Sequence, residues 1–277
     1  MNTKTFDSVI PTAILTAYPR TLTDIPYAKE VFDQLNQNNI SEELIKKELA
    51  PELEARFKLI NKVLMETKIK QVVELASGYS TRGINLTENN EDMSYVEMDL
   101  PEVTDKKIDI LSTITNIPSN FHAISGNVLD SVTFERVEQY LNKNSEIAIL
   151  NEGLLRYLDF EEKKQVTLNV RYLLNKYGGV WITCDVTPKK FAANQDKNLS
   201  NFNQKLSTIT DRNNLNWRFE DIDHVKEFFG KLGFVVESVL PQAEIINELT
   251  SPKKLGLDNK QVEALLADAI VAVIRLA

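Results

Sequence analysis

From Ile69 onward the chain alternates short apolar runs with stretches whose apolar positions recur every three or four residues. The runs are KQVVELASG (70–78), MSYVEMDL (93–100), FHAISG (121–126), EIAILNEG (146–153), GVWITCDV (179–186), GFVVESVL (233–240) and AIVAVIRL (269–276). Such runs read as buried strands, and a helical pattern lies between most of them. The alternation predicts an α/β fold on an open, mostly parallel sheet. The ending departs from it: residues 241–268 hold one clear helix, Asn259–Asp268, so the last strand is expected to insert antiparallel between its neighbours. Residues 1–68 read as a helical N-terminal cap. Its helices are Pro26–Leu35, Ser41–Ala50 with Ser41 as cap, and Pro51–Thr67 with Leu53, Phe57, Ile60, Val63 and Leu64 on one face. Residues 69–277 then form one domain. Within it the polar, Asn-rich segment 187–230 is too long for an ordinary connection and is expected to be a lid.

Charge narrows the partners. With 32 Lys+Arg against 40 Asp+Glu the 277 residues carry a net charge of −8, which argues against nucleic acid or an anionic membrane surface as partner. No apolar stretch is long enough to span a bilayer, and Pro11 interrupts the only apolar run near the start, so a cytoplasmic protein is expected. The single cysteine, Cys184, permits no internal disulfide, and two histidines, His122 and His224, make a His/Cys metal cage or a Ser-His-Asp hydrolase a poor fit.

In open α/β sheets, ligands sit beyond the carboxyl ends of the strands. Four such ends carry suggestive groups. ELASGYSTRG (74–83) offers small residues for a sharp turn and free helix amides beyond it, though Gly78 would serve the turn geometry alone. YVEMDLP (95–101) places an acid about twenty residues later, the spacing at which a carboxylate meets ribose hydroxyls. Asn127-Val128 could bond and pack a base, or simply turn the chain. Glu152 follows an apolar strand, where a carboxylate requires a cationic partner, either a ligand or a protein Lys or Arg.

In order and spacing, ELASGYSTRG, YVEMDLPEV and NEGLLRYLDFEEK, with TAILTAYPR…DIPYAKEVF ahead of them, resemble the leucine carboxyl methyltransferase family. The likeness is nearest to its bacterial branch of small-molecule O-methyltransferases, including the tetracenomycin-type polyketide enzymes, and runs from about residue 12 to 186. It implies a Rossmann-like class I methyltransferase sheet, with S-adenosylmethionine as cofactor and a small molecule as substrate. Carried over by position, Gly78 would lie against the methionine part and Asp99 would hold the ribose, with Glu97 as an alternative. Asn127 and Val128 would contact adenine, where the family more often has Asp-Leu. Glu152 matches the family's cofactor-binding Glu, and Arg20 an arginine that pairs with the cofactor carboxylate, with Arg82 a second candidate. Glu74 belongs to the same acidic rim. Two positions depart from the pattern: Ala76 stands where Gly is usual, and Ser80 where Asp is common.

Methyl transfer from a sulfonium chiefly requires alignment and exclusion of water. A carboxylate acceptor needs no base, whereas a hydroxyl would benefit from one. Neither histidine is assigned that role: His122 is expected at the surface and His224 at a solvated helix start. Tyr18, Tyr157 and Trp217 are candidates to wall a substrate site or simply to pack. The expected activity is therefore methylation of a hydroxyl or carboxyl on a small molecule. Alternatives are methylation of a protein's C-terminal leucine, a non-catalytic cofactor-binding module, and a nicotinamide oxidoreductase. The last would need a G-x-G-x-x-G turn, which is missing here.

Overall fold

The apolar runs form seven strands: β1 (Gln71–Leu75), β2 (Ser94–Asp99), β3 (Phe121–Ser125), β4 (Ile147–Asn151), β5 (Gly179–Thr183), β6 (Phe234–Pro241) and β7 (Ile270–Leu276). They were located in a computed structural model, which describes residues 10–35, 46–189 and 217–277. All seven join one sheet in the order β3-β2-β1-β4-β5-β7-β6. The first five strands pair in parallel, and β7 runs antiparallel to both β5 and β6. The inserted last strand thus takes the place expected for it. Strand order reverses between β1 and β4, which opens a crevice at their carboxyl ends.

Helices cover both faces. On one lie α1 (Ile10–Arg20), α2 (Ala28–Leu35), α3 (Ala50–Thr67), α4 (Arg82–Asn89) and α5 (Pro101–Ile114). The other carries α6 (Ser131–Val137), α7 (Phe160–Tyr177) and α8 (Ile222–Lys231). Local chemistry sets their starts. Asp159 and Glu162 form a reciprocal capping box on α7, and Asp221 caps α8 by accepting from the His224 N–H.

Helix α3 does not stand apart from the sheet. Its Ala55, Leu59, Ile60, Val63 and Leu64 share a core with Val72, Val180, Ile182, Val271 and Val273. In the described part of the expected Ser41–Ala50 helix the chain makes only a 3-10 turn at Lys47–Leu49 before entering α3; residues 36–45, Ser41 among them, lie outside the described residues. Residues 190–216, most of the expected lid, also lie outside them. The end of that segment is α8, whose Val225 and Phe229 pack into the second core with Trp181 and Phe234.

Candidate functional site

The turn after β1 is made by two residues in the left-handed region, Ala76 (φ 50°) and Gly78 (φ 54°). Its Gly78 N–H donates to Asp99 Oδ2 at 2.6 Å, and the Leu100 N–H donates to Asp99 Oδ1 at 2.7 Å. Each carboxylate oxygen therefore keeps one acceptor position beyond these bonds. Burial raises the Asp99 pKa, opposed by those two N–H groups. After β3, Asn127 Oδ1 accepts from the Leu129 N–H at 2.9 Å, and Val128 is buried in the core. Asp99, Gly78, Asn127 and Val128 thus lie at or just beyond the ends of three adjacent strands.

Glu97 and Glu74 sit one step deeper. They are register partners across β1 and β2, and both are almost fully buried. Glu97 accepts from Lys107 Nζ and from Ser77 Oγ at 3.2 Å, while its Oε1 is buried without a hydrogen bond. Burial pushes Glu97 up to about 7 against the pull of Lys107, with Glu74 adding to the rise. Glu74 accepts from Arg82 Nη1 and from the Tyr95 hydroxyl at 2.8 Å. These two acids form a buried polar layer beneath α4 and α5, and their carboxylates are engaged by protein groups.

Beyond β4, Glu152 is held by three guanidiniums. Arg20 Nη2 and Arg56 Nε each donate to its Oε1 at 2.8 Å, and Arg82 Nη2 donates to Oε2 at 2.6 Å. Burial acts to raise its pKa, but Arg56, Arg20 and Arg82 outweigh it and hold the carboxyl well below the ordinary range. The cationic partner that its position demanded is therefore supplied by the protein. Arg82 ties the rim together: it bridges Glu74 and Glu152, donates from Nε to Asn61 at 2.7 Å, and lies over the Phe57 ring. Burial lowers the Arg20 pKa, and its Nε is buried with no hydrogen-bond partner.

Two residues that the sequence reading did not single out organise this region. Asp185, just past β5, accepts from the N–H groups of Gly153, Leu154 and Leu155 at 3.0, 2.6 and 3.0 Å, and from Asn151 Nδ2 at 2.6 Å. It clamps the loop that carries Glu152. Arg56 lies on α3, where charged residues at 52, 54 and 56 are all buried. A run of charges interleaved with the helix's apolar positions was the available signal for it. Among the aromatic candidates, Tyr18 packs edge-on against Phe32. His122 leans on Tyr140, and His224 stacks on Phe160 with its Nδ1 accepting the Glu220 N–H. No imidazole touches the Glu152 cluster.

The model of the leucine carboxyl methyltransferase family matches residues 13–170, more than half of the chain. The chain belongs to the leucine carboxyl methyltransferase family. It is accordingly an S-adenosylmethionine-dependent methyltransferase. No curated protein sequence matches it. Solved structures share its fold at low identity. A Thermobifida fusca protein, provisionally described as a methyltransferase, is 18% identical with a TM-score of 0.55, covering 94% of each chain. The mitomycin 7-O-methyltransferase MmcR is 10% identical with a TM-score of 0.50, over 91% of this chain and 69% of its own. The pyocyanin biosynthetic protein PhzM is 14% identical with a TM-score of 0.54, over 89% of this chain, which spans 62% of PhzM's length. Among the described residues, no helix of this family member is long and apolar enough to cross a membrane.

Proposed function

We propose that the chain methylates an oxygen, hydroxyl or carboxylate, of a small molecule. We further propose that it holds S-adenosylmethionine across the carboxyl ends of β1 to β4. The observation that carries the cofactor placement is the buried Arg20 Nε, a guanidinium donor with no acceptor, beside a Glu152 carboxylate already bonded to three arginines. A zwitterionic amino-acid tail suits that pair: its carboxylate would satisfy Arg20, and its ammonium would find Glu152 ionised. Asp99 has acceptor capacity left for ribose hydroxyls, and Asn127 Oδ1 keeps one lone pair for an exocyclic amine over Val128. Gly78 keeps the turn at φ 54°, a conformation that glycine adopts without strain. Arg82, Glu74 and Glu97 act through the buried layer beneath, keeping the turn and Glu152 in place. When bound, the cofactor supplies an electrophilic methyl group on a sulfonium.

An oxygen acceptor is favoured by the motifs shared with the small-molecule branch and by the O-methyltransferase activity named for MmcR. Isothermal titration with S-adenosylmethionine checks the cofactor half, and absence of binding at millimolar concentration would overturn it. In Glu152→Ala, affinity should fall by about tenfold or more. Stability should also drop by roughly 3–5 kcal/mol, because three guanidiniums lose their shared partner. Labelled-methyl transfer to small metabolites rather than to protein tails separates the small-molecule reading from C-terminal leucine methylation.

A further inference from the structure

The chain leaves β4 at Asn151, carries Glu152, and enters a 3-10 turn at Leu155–Tyr157. Over that stretch one carboxylate, Asp185, gathers the donors on both sides of Glu152. Its oxygens receive the N–H groups of Gly153, Leu154 and Leu155 and the side-chain amide of Asn151. An oxyanion in a nest of consecutive N–H groups fixes backbone that regular structure does not. Asp185 is itself held: its side chain is fully buried, and its own N–H donates to Thr183 Oγ1 at 3.1 Å, at the end of β5. Asn151 is held in turn, because Trp181 Nε1 donates to its Oδ1 at 2.7 Å and so leaves its amide nitrogen for Asp185. Gly153 completes the geometry with φ at 82°. A Cβ there would meet nothing nearer than 3.9 Å, so the glycine answers to the turn and not to crowding.

The three arginines on Glu152 do not set its place by themselves. They arrive from α1, α3 and α4 on long side chains with several rotatable bonds, which would follow the carboxylate if its backbone moved. We propose that Asp185 is a positioning residue for the cofactor: it holds the chain on both sides of Glu152 and so sets where that carboxylate meets the ammonium of S-adenosylmethionine. A hydrogen bond between charged groups in a buried site weakens steeply once its distance or angle is spoiled. The inference deepens the cofactor placement proposed above and rests on it.

The test measures binding of S-adenosylhomocysteine, which keeps the amino-acid tail and ribose of the cofactor, by isothermal titration. The full chain is compared as wild type, Asp185→Asn, Glu152→Gln and the double variant, each checked for folding by circular dichroism. Asp185→Asn keeps one acceptor oxygen and turns an NH2 group against the remaining donors, so binding should weaken by about tenfold. In the Glu152→Gln background the same change should weaken binding by less than about twofold, because a residue that acts through Glu152 has nothing left to place. A merely structural carboxylate, including one that matters for its attraction to Arg156 at 3.6 Å, would cost the same factor in both backgrounds. Equal factors, or unchanged affinity in Asp185→Asn, overturn the positioning role alone. Unchanged affinity in Glu152→Gln overturns the cofactor placement, and the positioning role with it. If Asp185→Asn fails to fold, Asn151→Ser, which withdraws one donor from Asp185, replaces it in the same cycle, with a loss of about threefold expected while Glu152 is intact and none without it.

Discussion

Ala76 holds a backbone conformation that glycine adopts without steric penalty, with φ at 50°. A Cβ in the left-handed region costs about 1–2 kcal/mol, against which glycine loses some stability through a freer unfolded chain. Ala76→Gly should therefore stabilise the protein by up to about 1 kcal/mol, seen as a rise of about 2 °C in Tm. A lower Tm would mean that the methyl group makes packing contacts that outweigh the strain. Sequence spacing was enough to find the acids and small residues at the strand ends. It could not say which acids are engaged by protein groups. Glu97 and Asp99 stand two positions apart on the same strand face, yet one is taken by Lys107 and Ser77, the other by the amides of Gly78 and Leu100. Glu152 finds its partners 132, 96 and 70 residues away, separations that no local pattern encodes.

Among the elements, α4 approaches the sheet unusually closely, and Gly83 is the reason. A Cβ at that position would lie 2.6 Å from Glu97 Oε1, 2.7 Å from Tyr95 and 2.8 Å from Phe121. Gly83→Ala improves helix propensity by up to about 1 kcal/mol but crowds three buried side chains at once. The net effect should be a loss of roughly 1–3 kcal/mol, read as a lower denaturation midpoint in urea. The elements themselves were legible because continuous apolar runs and helical spacing differ plainly over five or more residues. The role of α3 was less so. Its apolar stripe announced a helix, but that it packs on the sheet depends on Val180, Ile182, Val271 and Val273, contributed from far along the chain. Arg56 and Glu54 were hidden for the same reason.

At the scale of the whole molecule, Glu54 joins α3 to the segment that precedes β7. Its buried carboxylate accepts from the Thr250 N–H and hydroxyl at 2.8 and 2.9 Å and from the Ser251 N–H at 2.8 Å, and it pairs with Lys58. Burial acts to raise its pKa, but these donors outweigh it and bring it from 4.5 down to about 2. A depressed carboxylate stabilises the fold fully above the unfolded value, and the contribution is lost as pH falls from about 4.5 through about 2. Glu54→Gln should be less stable than wild type at neutral pH. Urea titrations at successive pH values should show the gap closing over that window, and a gap independent of pH would rule the link out.

The sheet order carries one more consequence, for the order in which the protein folds. β7 comes after β6 in sequence but lies between β6 and β5. During folding β6 therefore has no edge to dock on until β7 has paired with β5, because β7 is its only neighbour in the sheet. The parallel half, β1 to β5, can assemble first, while β6 and its bulge between Val236 and Ser238 wait in the open. A chain truncated just short of Ile270 should keep a protected parallel half and leave β6 open to proteolysis.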